Sequence, residues 1–211
     1  MEGYIFDLDG VLVDTAKHHY EAWKAIAREL GLDLTPAHNE ALKGIGREDS
    51  LKRILEWAGK DCSPEAFQEL ALRKNAFFLE QVRHIDASEL LPGVREFLEA
   101  LKAKGKKIAL GSASRNARMV LERTGIVSFF DTIVDGTMVS KAKPNPEVFL
   151  KAAEGLELPS SVCCVFEDAS AGIQAAKSAG MMAIGIGSKE VLPQADRWLT
   201  GFVPLPEELF L

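Results

Sequence analysis

Two aspartates one residue apart, Asp7 and Asp9, follow the apolar run Tyr4-Ile5-Phe6 and precede a glycine, Gly10. On a strand, side chains alternate, so both carboxylates leave on one side while Leu8 points away. Paired carboxylates at the end of a buried strand are costly unless something positive shares the site. A divalent cation is the simplest partner, and oxygen ligands suit magnesium. A metal-bound carboxylate can also attack phosphorus and carry the phosphoryl group. D-x-D-G alone also fits a turn with solvated acids. A calcium loop would need glycine at its sixth position and glutamate at its twelfth. Counting from Asp7 gives Leu12 and His18, which excludes that loop.

Further chemistry-bearing residues stand after other apolar runs: Ser112-Ala113-Ser114, Lys143 and Glu167-Asp168. Two acids plus an acid pair can hold a metal. A serine hydroxyl, backbone N–H groups and a lysine can hold a phosphate. Singly, each has a plain explanation: a helix cap, a loop charge before Pro144, the start of a helix. Their order along the chain is what favours one site. G-x-G-S-K at residues 185–189 lacks the spacing of a phosphate loop or dinucleotide fingerprint and reads as a strand end.

These residues need a frame. Ile108-Ala109-Leu110-Gly111-Ser112, Ile133-Val134, Val162-Cys163-Cys164-Val165-Phe166 and Met182-Ala183-Ile184-Gly185-Ile186 read as short buried strands. Helical stripes alternate with them: Val94 to Leu101, closed by Gly105, then Asn116 to Gly125, the segment after Pro146, and the stretch ending at Gly180. Unbroken apolar strands between helices predict an α/β fold with a parallel sheet covered on both faces. Ligands in such folds bind outside the carboxyl ends of the strands. From residue 15 to about 85 the pattern is helical throughout. Ala22, Trp23, Ile26, Ala27 and Leu30 form one stripe before Gly31. Leu51, Ile54, Leu55 and Ala58 form a second before Gly59, and Pro64 opens a third through Phe77 and Phe78.

The 211 residues are 47% hydrophobic and 27% charged, enough for one globular core with an insertion. A net charge of -6 argues against a nucleic-acid or anionic-membrane surface, and no run is long enough to span a bilayer. Cys62, Cys163 and Cys164 form no C-x-x-C pair and read as buried free thiols. With no signal peptide ahead of the first strand, the expected location is the cytoplasm. The expected partner is a small anionic molecule, and the expected state a monomer.

DLDGV, SAS, KAKP and FED, in that order, resemble the motifs of the haloacid dehalogenase superfamily of phosphoryl-transfer enzymes. The helical insertion resembles that superfamily's small cap. The resemblance implies a Rossmann-like core of residues 1–14 and 90–211 and a helical cap of residues 15–89. Residues 42–51 (LKGIGREDSL) and 73–75 (RKN) carry the likeness into the cap, toward the superfamily's sugar-phosphate mutases. It implies interconversion of β-glucose 1-phosphate and glucose 6-phosphate through a phosphoaspartate, with the 1,6-bisphosphate as intermediate. A sugar-phosphate phosphatase shares the core motifs, and a non-catalytic sugar-phosphate-binding protein is the remaining alternative.

Carried over by position, the resemblance makes Asp7 the nucleophile and Asp9 the general acid/base. Magnesium would be held by Asp7, Glu167, Asp168 and the backbone carbonyl of Asp9. Ser112, Ala113 and Lys143 would grip the transferred phosphoryl group. Arg47, Ser114, Arg115 and Asn116 would hold the other phosphate, with Lys43-Gly44 nearby. His19, Lys43 and Lys74 would couple cap closure to Asp9, and Thr15 would lie at the hinge. Trp23 reads as core more than as a sugar platform. Gly46 and Arg115 depart from the residues usual in this pattern, where serine and lysine stand.

Overall fold

The computed structural model describes residues 1–206. Its order is β1 (Gly3–Phe6), α1 (Ala16–Glu29), α2 (Pro36–Leu42), α3 (Arg47–Ala58), α4 (Pro64–Val82), α5 (Val94–Ala103), β2 (Lys107–Gly111), α6 (Ala117–Arg123), β3 (Thr132–Val134), α7 (Glu147–Gly155), β4 (Cys163–Glu167), α8 (Ser170–Ser178), β5 (Met182–Ile186) and β6 (Arg197–Leu199). All strand pairs are parallel, and the sheet runs β3-β2-β1-β4-β5-β6. The first strand is therefore central, flanked by β2 and β4, and the strand order reverses beside it. That reversal opens a crevice at the carboxyl ends, where ligands bind in this architecture.

Alternation along β1 sorts its residues between two apolar clusters. Tyr4 and Phe6 face one layer with Phe97, Phe166 and Phe202, and the Phe6 and Phe166 rings stack at 4.5 Å. Ile5 faces the other layer with Ala109, Val165 and Phe149. Full burial of each such side chain is worth about 1.5–3 kcal/mol. Both layers being filled is why these strands carry apolar runs rather than alternating ones.

The helices between residues 16 and 82 gather around a third cluster: Trp23, Ile26, Ala27, Leu34, Leu42, Leu51, Ile54 and Leu55. Gly59 ends α3 in the left-handed conformation, at φ 60°, as its position after the stripe predicts. Phe78 points inward, whereas Phe77 is exposed. Two elements lie beyond the sequence reading. Thr35 caps the short α2 and Pro36 is its first residue, and β6 closes the sheet edge with three residues.

The two chain crossings between sheet and helices pair with each other. Leu91 N–H donates to the Leu12 carbonyl at 3.0 Å, and Asp14 N–H to the Glu89 carbonyl at 2.9 Å. Among the described residues no helix is long and apolar enough to cross a membrane. One thiol departs from expectation: Cys163 and Cys164 are buried, but Cys62 sits exposed in the α3–α4 connection, outside any apolar stripe.

Candidate active site

β1 ends at Phe6, and Asp7 still donates its N–H to the Phe166 carbonyl at 3.0 Å. Asp9 does not continue the strand. Its backbone belongs to a compact turn in which Leu12 N–H returns to the Leu8 carbonyl at 2.9 Å. Gly10 makes that turn feasible, with φ +78° and no room for a Cβ, which would overlap Asp168 Oδ2. The expected shared side is thus reached through a loop.

At the carboxyl edge Lys143 Nζ lies 2.7 Å from Asp7 Oδ1 and 2.5 Å from Glu167 Oε1, and all three residues are buried. The Phe149 ring lies 4.7 Å from the same ammonium. Carboxylate oxygens of Asp7, Glu167 and Asp168 can all come within 4.8 Å of one another. Burial opposes the Lys143 charge, yet Asp7 and Glu167 hold its ammonium above the ordinary lysine range. Burial, then Glu167 and Asp7, push Asp168 well above the usual carboxylate range. Burial also raises Glu167 despite its lysine partner. One ammonium among three carboxylates leaves negative charge to be neutralised. The donor set is all oxygen and pre-assembled, which fits a hard divalent cation.

Asp9 sits opposite. Thr15 donates its hydroxyl to Asp9 Oδ1, and His19 Nε2 lies 3.6 Å from the same oxygen. Burial, reinforced by Asp7, pushes the Asp9 carboxyl up to about 6. His19 stacks on Phe78 with centroids 4.1 Å apart, and Lys74 Nζ stands 2.7 Å from its Nδ1. Lys74 also lies 4.8 Å from the Trp23 ring, so Trp23 belongs both to the helical cluster and to the cavity wall. Lys43 reaches Asp168 Oδ2 at 3.9 Å and Glu40 at 2.9 Å. Gly44, at φ +71°, passes so close to Ala169 that a Cβ would meet that methyl at 2.9 Å.

The distal group crosses the seam between helices and sheet. Arg47 Nη2 donates to Asn75 Oδ1 at 2.8 Å, and Asn116 Nδ2 donates to the same oxygen at 2.9 Å. Burial, then the nearby Arg115, lower the Arg47 pKa. Arg115 pairs with Glu48 at 2.8 Å, at an exposed position. Ser112 accepts the Ser114 N–H, and Ser114 accepts the Asn116 N–H, curling the loop after β2 around the crevice.

A single cleft is lined by Asp7, Asp9, His19, Trp23, Lys43, Gly44, Arg47, Lys74, Ser112, Ala113, Ser114, Arg115, Asn116 and Asp168. Three expected residues stand behind its wall. Thr15 is fully buried against Asp9, Glu167 is fully buried against Lys143, and Lys143 itself lies under Asp7. Asn39, Ile45 and Ser50 line the cleft without any signal in the sequence that singles them out. Asn75 falls within the RKN run of the family likeness, but the sequence reading gives it no role of its own. Its signal is its place one residue after Lys74 on the inward side of α4.

A family model described as haloacid dehalogenase-like hydrolase matches residues 1–180. The chain is 43% identical over 198 residues to the β-phosphoglucomutase of Bacillus subtilis, covering 93% of this chain and 88% of that protein. It is 35% identical to a phosphorylated carbohydrates phosphatase of Thermotoga maritima, covering 86% of this chain and 82% of the relative. A crystal structure of β-phosphoglucomutase from Clostridium difficile superposes with a TM-score of 0.95 at 41% identity, over 99% of this chain and 95% of that one.

Proposed function

The chain belongs to the haloacid dehalogenase-like hydrolase family, and within it we propose that it works as a β-phosphoglucomutase. The reaction is the interconversion of β-D-glucose 1-phosphate and glucose 6-phosphate by way of β-glucose 1,6-bisphosphate. One observation carries this reading: the cleft that contains Asp7 also contains a second cationic group, Arg47 beside Arg115 and Asn116. A mutase must hold a bisphosphate in two orientations. A phosphatase needs only one phosphate site. Residues 15–89 are read as a cap and residues 1–14 and 90–211 as the catalytic core, within a monomer whose site is complete in one chain. The buried unpaired thiols Cys163 and Cys164 suit the cytoplasm.

Asp7 attacks one phosphorus of the bisphosphate, the P–O bond to the sugar breaks, and Asp9 gives its proton to the leaving oxygen, which frees a monophosphate. The phosphorylated Asp7 then meets the free hydroxyl of an incoming monophosphate. Asp9 takes that proton, and the phosphoryl group passes from Asp7 to the sugar oxygen. The bisphosphate so formed turns end for end to give its other phosphoryl group back to Asp7. Lys143 and the Ser112-Ala113 loop would hold the phosphoryl oxygens. Magnesium, held by Asp7, Asp168, Glu167 and the Asp9 carbonyl, would neutralise charge on the transferring group. Uncatalysed monoester cleavage is slow enough that enzymatic gains reach ~10²¹-fold, so concentrating charge stabilisation here is what the chemistry requires. A carboxyl held near 6 can give and take a proton close to neutral pH. The contacts of Asn116 with Asn75 and of Arg115 with Glu48 across the seam support a closed cap that keeps water from the phosphoaspartate.

The phosphatase reading retains the support of phosphatase relatives, the Thermotoga maritima protein among them. Enzyme, magnesium, β-glucose 1-phosphate and a trace of bisphosphate should yield glucose 6-phosphate well ahead of inorganic phosphate. Phosphate release matching substrate loss would replace the mutase with a hydrolase.

A further inference from the structure

We infer that Asn75 is a positioning residue that binds Arg47 and Asn116 into one donor pair for the sugar's second phosphate. The inference rests on the mutase reading of the distal group and assigns that group's geometry to a residue outside it. Asn75 lies in the middle of α4, Arg47 is the first residue of α3, and Asn116 immediately precedes α6. No two of them share an element, and one carboxamide oxygen gathers both donors, at 2.8 and 2.9 Å. A guanidinium can only donate, so the atom facing Arg47 must be the Asn75 oxygen, and Asn116 must then present its amide nitrogen.

The amide suits this task better than any charged group. Its oxygen has two acceptor sites and takes both donors, yet it carries no charge. It therefore aims the half-buried Arg47 without neutralising it and without repelling an incoming phosphate. A free arginine side chain loses much rotamer freedom when a ligand fixes it. Asn75 imposes part of that order before the ligand arrives, which is how preorganisation raises affinity. The Asn75–Asn116 bond also runs from α4 to the loop after β2. It forms only when the helices stand over the sheet edge, so bringing Asn116 beside the already aimed Arg47 and closing the cleft are one event.

The test measures binding rather than turnover, in an Asp7→Asn background with magnesium, by calorimetric titration with β-glucose 1,6-bisphosphate. Adding Asn75→Ala should weaken binding about 10-fold, the scale of a lost hydrogen bond to a charged group. Adding Asn75→Asp should weaken it further, because the isosteric carboxylate satisfies both donors but opposes the phosphate. Inorganic phosphate, which has no second phosphate to place, should bind all three proteins alike. Because Asn75 acts through Arg47, adding Asn75→Ala to an Arg47→Ala protein should change little. Unchanged bisphosphate affinity in Asn75→Ala, or full additivity with Arg47→Ala, overturns the inference. Thermal unfolding of each variant identifies loss of fold. If the alanine variant is damaged, the isosteric Asn75→Asp decides, and wild-type affinity there overturns the inference equally. Wild-type product ratios test the mutase reading separately, so the two can fail independently.

Discussion

Lys74 and His19, both potential cations, share a hydrogen bond of 2.7 Å between Nζ and Nδ1. Burial, then Lys74 and Arg47, hold His19 well below its ordinary range, so the imidazole is neutral. Its Nδ1 then accepts from Lys74, which leaves the proton on Nε2, facing Asp9. Burial, then Arg47, bring Lys74 down to about 7. In the unfolded chain a lysine titrates near about 10.4. Between these values the unfolded state binds more protons, so wild-type stability should rise with pH. Lys74→Met removes that slope. Its stability relative to wild type should be greatest at pH 6 and fall through pH 9, at up to about 1.36 kcal/mol per unit above the folded pKa. Urea unfolding of both proteins at pH 6, 7.5 and 9 checks this, and parallel profiles would contradict it.

Asp7→Asn should end turnover while leaving the fold intact. The amide oxygen can still accept from Lys143, and one negative charge leaves the cluster of Asp7, Glu167 and Asp168. The melting temperature in chelator should therefore hold or rise. Residual turnover above contamination would remove Asp7 from the nucleophile's role.

Gly10→Ala places a methyl where Asp168 Oδ2 now lies, in a left-handed conformation that itself costs about 1–2 kcal/mol. Magnesium affinity, titrated calorimetrically, should fall by about 10-fold or more as that carboxylate is displaced. Wild-type affinity in a folded variant would exclude Asp168 from the ligand set.

Arg47→Ala should separate two phosphoryl donors. Losing a charge-assisted hydrogen bond costs roughly 1.5–3 kcal/mol, so bisphosphate-driven turnover should fall about 10- to 150-fold. Phosphorylation of Asp7 by acetyl phosphate should change far less, because that donor has no second phosphate. Equal loss with both donors would make Arg47 structural. Arg47→Lys should rescue only in part, lacking the planar fork.

What is readable from sequence follows the physics of each element. β1, β2, β4 and β5 are buried on both faces, so their apolar runs stand out, and the residues just past three of those ends are visible with them. β6 has three residues, one of them Arg197, and α2 has seven, too few for a period to declare itself. Asp9 is expected on the strand but arrives through a turn, because alternation says nothing about where pairing stops. His19, Lys74 and Arg47 emerge through family likeness, since isolated polar residues on helices carry no local signature. Asn75 comes with them in the RKN run, but its role exists only where three elements meet.

The central position of β1 has a consequence for assembly on the ribosome. Gly3 finds its partners at Lys107 and Cys163, so the first strand made waits for most of the chain before its neighbours exist. Contacts among the helices from 16 to 82 are far more local, and such contacts form quickly. The nascent chain can therefore order this segment while Tyr4, Ile5 and Phe6 remain unpaired. During that interval an apolar segment with free N–H and C=O groups lies open, the condition in which growing chains aggregate. Synthesis rate and chaperone supply should then govern yield more than the stability of the finished fold.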